Sequence, residues 1–370
     1  MRRKLKYAAA AAAGVLLLLW LFCLPHDLFE GTTYSTVVTD RNGALLGARV
    51  ADDGQWRFPP RDTLPEKFVK ALVEFEDRTF FDHCGVSPRA LVRAAIQNIR
   101  NGRIVSGGST LTMQVIRLSR QKPRTLWQKL VETCMATRLE LRCSKEEILR
   151  LYAAHAPFGG NVVGIDAARW RYLGSDRTEL SWAEAATLAV LQNAPSSIHL
   201  ARNRDQLLAK RNRLLARLHA KGEIDEEDYA LALEESLIGE PYPMPQYAPH
   251  LVEWYDRKAH GQRTVTHIDR DLQHRMEEVL VRWNRELRQK GIRDLAAIIV
   301  EVESGEPAAY CGNSDLSFDR DGKWVDIARS PRSSGSILKP LLYAAALERG
   351  TILPNSLLPD VPMDFGGFAP

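Results

Sequence analysis

The residues Tyr7–Pro25, YAAAAAAGVLLLLWLFCLP, carry no charged side chain. A run of this kind cannot lie on the surface of a water-soluble fold without a continuous apolar face, and its length is about that of a bilayer-spanning helix. Arg2, Arg3, Lys4 and Lys6 precede it, and Asp27 and Glu30 come after it. That asymmetry sets the N-terminus in the cytoplasm and exports the remainder of the chain. A cleaved signal peptide is the competing reading. The alanines lie at the start of the run, no small-x-small site comes after the leucines, and Phe22 before Cys23 spoils a lipoprotein signal. The run therefore predicts an uncleaved single-pass anchor.

With 370 residues, 45% hydrophobic and 26% charged, the chain reads as globular and long enough for about two domains. The 50 basic and 46 acidic residues leave a net charge of +4, which the basic tail supplies. Everything after the tail is formally neutral, so composition argues against a nucleic-acid partner. Of five cysteines, Cys23 lies in the anchor. Cys84, Cys134, Cys143 and Cys311 fall in a compartment that permits disulfides, and Cys134 and Cys143 are close enough in sequence to pair. Spacing alone does not fix the connectivity. With no CxxC and no HExxH, no built-in zinc or other metal site is expected.

Thr32–Val50 alternates and turns at Asp40–Gly43, which predicts a hairpin just outside the membrane. From about Leu64 to Leu237 the pattern is helical. Leu64, Phe68, Leu72 and Phe75 form one stripe, Ile148, Leu151 and Tyr152 another, and Ser181 to Glu184 forms a capping-box pattern. Residues 201–235 read as two helices broken near Gly222, with leucines 207, 208, 214, 215 and 218 buried and the arginines on a solvated face. The Pro-rich stretch 238–249 reads as a linker, and 296–313 as two strands around Ser304-Gly305, so a second domain is expected from about residue 293.

Four helical-region stretches carry chemistry. EDRTFFDHCG places Glu76 at a helix end beside Phe75 and Phe80. A carboxylate among apolar rings loses hydration, and its raised pKa would make it a usable base near neutral pH; the bland alternative is a surface salt bridge. GGSTLTMQVIRL pairs glycines, which let backbone N–H groups approach an anion, with Arg117, which can hold a phosphate. The GxxxxGK[ST] spacing of a Walker loop is absent, and a simple helix cap would use the same residues. Lys129 and Glu132 lie three apart on one helix face, an arrangement shared with ordinary surface ion pairs. FGGNVVGIDAARWRYLG is rich in glycine and aromatics, like a packed turn.

Taken in order, these stretches resemble the glycosyltransferase domain of class A penicillin-binding proteins. Glu76, Asp77, Phe80, His83 and Gly85 meet the pattern ED-x-x-F-x-x-H-x-G. Gly107, Gly108, Ser109, Thr110, Thr112 and Gln114 meet GGST-x-T-x-Q, and Lys129 and Glu132 meet K-x-x-E. The resemblance covers about residues 60–235 and resumes at SSGSILKP, where Ser336 and Lys339 form an S-x-x-K pair suited to acyl transfer. No S-x-N or K-T-G occurs between there and Pro370. The chain departs from the family pattern at Met113 (usually Gln), Arg117 (Lys), Leu118 (Asn), Gln128 (Arg), Arg150 (Glu), Ala154-His155 (Leu-Asn) and Ser175 (Lys).

The resemblance implies a mainly α protein. Its parts are a cytoplasmic tail (1–6), a transmembrane anchor (7–25), a juxtamembrane hairpin (26–59), a lysozyme-like helical glycosyltransferase domain (60–237), a linker (238–292) and the incomplete start of an α/β transpeptidase domain (293–370). It implies a bacterial cytoplasmic-membrane protein, with catalytic domains in the periplasm, that polymerises lipid II and releases the lipid pyrophosphate. Glu76 and Glu132 would be catalytic, with Ser336 and Lys339 for acyl transfer. Asp77, Phe80, His83, Thr110, Gln114, Arg117 and Lys129 would bind substrate. A divalent cation (Mg or Mn) at the pyrophosphate is the only cofactor implied. Partners would be lipid II, the growing lipid-linked glycan, the membrane and other cell-wall enzymes, with β-lactams only for a complete transpeptidase domain. A weakly catalytic scaffold and a lysozyme-type hydrolase, which also uses two carboxylates, are the alternatives.

Overall fold

The computed structural model describes residues 2–102, 107–123, 125–174, 179–192, 203–314, 316, 321–358, 361, 362, 364, 366 and 367; Ser175, one of the departures above, lies outside them. Helix α1 (Arg2–Leu21) starts inside the basic tail and stops four residues before Pro25. Among the described residues no helix is long and apolar enough to cross a membrane. Of the expected span over residues 7–25, the helix covers the part up to Leu21. The uncharged helical part, Tyr7–Leu21, is about 22 Å long at 1.5 Å per residue, against about 30 Å of bilayer hydrocarbon. Proline disfavours helical backbone in the residue before it, so the end of the apolar run leaves the helix. Val15 to Leu19 are exposed. The exit from α1 is tied down: Trp20 Nε1 donates to Thr137 Oγ1 at 3.0 Å, Arg138 Nε to the Leu21 carbonyl at 3.2 Å, and Arg142 to the carbonyls of Pro25 and His26.

The expected hairpin is present as β1 (Thr36–Thr39) and β2 (Leu45–Arg49). Asp40 Oδ1 closes its turn by accepting from the N–H groups of Asn42 and Ala44. All four residues of β1 are buried, so the strand is covered on both faces. Strand β3 (Trp56–Arg57) comes next. The helical region then runs through α2 (Glu66–Glu76), α3 (Pro88–Asn101), α4 (Leu111–Arg120), α5 (Leu126–Glu140) and α6 (Lys145–His155). The predicted α2 stripe points inward, with Phe68 and Leu72 fully buried and Leu64 and Phe75 half-buried.

The glycine-rich stretch forms β4 (Pro157–Gly159) and β5 (Val162–Val163), with β3 parallel and β4 antiparallel to β5. Helices α7 (Ile165–Leu173) and α8 (Trp182–Leu191) come after them. The capping box expected at Ser181 and Glu184 opens α8. Every residue from Trp182 to Leu191 except Glu184 is buried, the pattern of a helix surrounded by others. It packs between α2 and α9 (Arg204–Ala220), and α10 (Glu226–Glu234) lies beyond Gly222, whose φ is 76°. Leu207, Leu214, Leu215 and Leu218 are buried as predicted, while Leu208 is not. Arg211 breaks the solvated-face expectation: it is buried and donates to the Glu235 carbonyl at 2.6 Å.

Residues 238–292 are more than a linker. They contain α11 (Pro249–Lys258), β6 (Arg263–Val265) and α12 (Arg270–Arg288). Strand β6 pairs parallel with β1, giving the order β2-β1-β6. The buried β1 thus finds its second partner more than two hundred residues away, and the hairpin is the core of a sheet. The expected strands around Ser304-Gly305 form as β7 (Ala297–Val300) and β8 (Pro307–Cys311). Met276 of α12 packs on Ala309 and Cys311 of β8, so this unit starts well before residue 293. The last helix, α13 (Lys339–Glu348), buries none of its residues.

Candidate active site

Glu76 is the last residue of α2, and Asp77 caps the helix with non-helical backbone, φ −154° and ψ 81°. The two carboxylates therefore diverge. Asp77 turns inward and is 7% exposed. Its Oδ2 accepts from the Leu111 N–H at 3.1 Å and from His83 Nε2 at 3.0 Å. His83 Nδ1 accepts from the Gly85 N–H at 3.1 Å, which fixes the ring with Nε2 towards Asp77. Thr110 caps α4 through the Met113 N–H and donates to the Gly85 carbonyl at 2.6 Å. The first turn of α4 is thus bolted to the end of α2 by groups drawn from both motifs.

Gly85 explains its own place in the pattern. Its φ is 90°, and a Cβ there would lie 2.6 Å from the Ala136 carbonyl oxygen of α5. Phe80 is fully buried beneath the turn, and Lys145 Nζ sits 4.4 Å above its ring. Lys145 also donates to the His83 carbonyl at 2.6 Å and pairs with Glu140 at 2.7 Å. Glu140 in turn accepts from Thr112 Oγ1.

Glu76 faces a different set. Gln114 Nε2 donates to Glu76 Oε2 at 2.8 Å. Arg117 Nη2 donates to Gln114 Oε1 at 3.1 Å. One turn of α4 therefore presents an amide to the carboxylate and a guanidinium to the amide, all three half-buried. Behind them lies Tyr152 of α6, buried, its phenol pushed well up by burial and then by the charge of Glu76, against which Arg117 acts. The result is a carboxylate with a cation one side chain away, on a base of buried hydrogen bonds. Such a pairing suits removal of a hydroxyl proton beside a developing anion.

A family model described as Transglycosylase matches residues 43–219. The chain is 40% identical over 335 residues to penicillin-binding protein 1C of Escherichia coli, covering 90% of this chain and 43% of that one. The chain belongs to the class A penicillin-binding protein transglycosylases. It is also 31% identical over 303 residues to penicillin-binding protein 1A of Aquifex aeolicus, covering 78% of this chain and 40% of that one. Against penicillin-binding protein 1B of Escherichia coli it is 29% identical over 367 residues, covering 90% and 43%. The chain spans less than half the length of these relatives.

In this chain the sequence-predicted residues fall into four groups. Glu76, Gln114 and Arg117 form one hydrogen-bonded chain. Asp77, Phe80, His83 and Thr110 form the brace beneath it, with Asp77, Phe80 and Thr110 buried. Lys129 is exposed and Glu132 half-buried on α5, which packs on α4 through contacts such as Arg120 Nη1 to Met135 Sδ at 3.0 Å. Ser336 and Lys339 sit apart from these on the 3-10 turn Gly335–Leu338 and the start of α13, both exposed. Sequence reasoning missed Lys145, Glu140 and the placement of Tyr152 behind Glu76. Lys145 and Glu140 lie outside the motifs it weighed, and Tyr152 was read only as part of a packing stripe.

Proposed function

We propose that this transglycosylase polymerises lipid II, with Glu76 as the base. The Glu76–Gln114–Arg117 chain is the observation that carries the reading. The 4-hydroxyl of the acceptor sugar attacks the anomeric carbon of the lipid-pyrophosphate-linked donor strand. As the new C–O bond forms, Glu76 takes the hydroxyl proton and the bond to pyrophosphate breaks, with inversion. Pyrophosphate needs charge neutralisation more than protonation, and Arg117 and Lys129 supply positive charge, with Glu132 orienting them. Among the described residues no group of three or more His, Cys, Asp or Glu stands ready to hold a metal. A divalent cation would be held by substrate oxygens with Glu132 as its protein ligand.

The exposed apolar face of α1 enters the outer face of the cytoplasmic membrane and keeps the site near its lipid-linked substrate, raising local concentration. Catalysis then takes place on the periplasmic side, where other cell-wall enzymes would be partners. In a longer protein Ser336 and Lys339 would serve a transpeptidase, the target of β-lactams. The test is to incubate the membrane-inserted chain with labelled lipid II, beside Glu76→Gln, and resolve products on a gel. Long strands from the wild type alone support the reading. No strands from a folded wild type would favour a scaffold, and shortened strands with new reducing ends a hydrolase.

A further inference from the structure

A cleft of about 540 Å³ opens where the chain leaves α1, lined by residues 26–28, by residues 60–62 and by α6 with the turn before it. Arg142, Arg150, Asp62 and Glu147 lie on its wall, and Leu28, Leu151 and Ala154 form its apolar part. Charges of both signs thus share one cavity with an apolar floor.

The polar groups have capacity left. Arg142 gives two of its hydrogens to the Pro25 and His26 carbonyls, and Arg150 gives one to the Asp62 carbonyl at 3.1 Å. A guanidinium has five donors, so each retains N–H groups for a ligand. Glu147 uses Oε2 to accept from the Ser144 N–H at 2.7 Å, which leaves its other oxygen. A simple anion would meet the carboxylates, and a simple cation the guanidiniums. A zwitterion with a phosphate and a primary ammonium a few bonds apart satisfies both.

Position narrows the source. The cleft wall begins at His26, five residues after the end of α1. With α1 in the membrane boundary, as in the function proposed above, the cleft lies at headgroup level. Three departures from the family pattern, Arg150, Ala154 and His155, also line this one cavity. The first supplies a guanidinium in place of a carboxylate, and the second leaves room where a leucine is usual. We propose that this cleft binds the headgroup of an amine-bearing phospholipid of the phosphatidylethanolamine type. Phosphate sits on Arg142 and Arg150, ammonium faces Asp62 and Glu147, and the glycerol end lies on Leu28 and Leu151.

The test uses the full chain in nanodiscs of mixed phosphatidylethanolamine, phosphatidylglycerol and phosphatidylcholine, released for native mass spectrometry. The wild type should retain one phosphatidylethanolamine. Arg150→Glu and the cavity-filling Ala154→Leu should each lower retention about tenfold or more, equivalent to about 1.4 kcal/mol. Ala154→Leu should keep wild-type melting and lipid II polymerisation, which separates loss of the site from loss of fold. Equal retention by all three chains, preference for phosphatidylglycerol, or no lipid on the wild type would overturn the site. Glycerophosphoethanolamine binding as tightly as the lipid would overturn the membrane as its source. Polymerisation that fails while lipid is retained would bear on the enzyme reading alone. A wild type that does not enter the discs would remove both the placement of α1 and this site.

Discussion

Gln114 donates its Nε2 hydrogen to Glu76 Oε2 at 2.8 Å, joining residues 38 apart in sequence. The amide is held in that orientation because its oxygen accepts from Arg117 at 3.1 Å. Carboxylate and guanidinium are thereby spaced by a single side chain rather than neutralising one another.

Gln114→Ala removes both hydrogen bonds without touching the brace. A hydrogen bond to a charged group is worth about 1.5–3 kcal/mol, so the rate of strand formation should fall about ten- to hundredfold. Glu76→Gln should lose about 10²- to 10⁴-fold as a general base is removed. Initial rates with labelled lipid II, with circular dichroism as a check on folding, decide this. An unchanged rate in Gln114→Ala would remove the amide from the mechanism.

Asp77 lies beside Glu76 in sequence but works on the fold. Asp77→Ala leaves the Leu111 N–H and His83 Nε2 without their buried acceptor, which costs about 3 kcal/mol or more. Urea unfolding should show that loss. A variant as stable as the wild type but unable to bind lipid II would instead place Asp77 in the binding site.

His155 is held neutral. It stacks on Phe29 at 3.4 Å between ring centroids, its Nε2 meets the Tyr34 hydroxyl at 2.9 Å, and burial pushes its pKa down to about 4. In the unfolded chain it titrates near 6.5. Below that pH the unfolded state takes up the proton first, so stability present above about 6.5 is lost as pH falls towards 4, by about 3 kcal/mol in full. Glu277, which burial pushes up to about 7, acts in the opposite sense and loses stability as pH rises from about 4.5 to 7. The His155 contribution is therefore the difference between wild type and His155→Asn. Denaturation at pH 7 and pH 5 should show a smaller acid loss in the variant; equal losses would refute it.

Sequence spacing left the connectivity of the cysteines open. All five are free thiols. Cys134 lies within α5 and Cys143 beyond its end at Glu140, and the rise from Cys134 to Glu140 is about 9 Å, more than the roughly 7 Å between bridged Cα atoms. Helices α1 and α5 meet at the Trp20–Thr137 bond, and burial, then the nearby Cys134 thiol, pushes the Cys23 thiol up. Oxidised glutathione, accepting the two electrons and two protons of the thiol pair, should join Cys23 to Cys134. Peptide mapping that finds Cys134 joined to Cys143 would refute the arrangement.

The sequence by itself determined the helices, their caps and the order of the motifs. Those features depend on local spacing: the α2 stripe, the Ser181–Glu184 box, the Asp40–Gly43 turn and the break at Gly222 all depend on residues within a turn or two of each other. It also named Glu76, Gln114 and Arg117, because residue type and order survive without coordinates. It cast Glu76 as the base and Asp77 as a substrate contact, but that Asp77 is the carboxylate turned inward depends on how α2 ends against α4. The partner of β1 in residues 263–265, the place of Tyr152 behind Glu76, and the docking of Cys23 on Cys134 were likewise decided only by tertiary structure. Each joins segments with no shared local pattern, brought together because burying β1, α8 and the base of the site leaves backbone and side-chain groups that distant parts of the chain must satisfy.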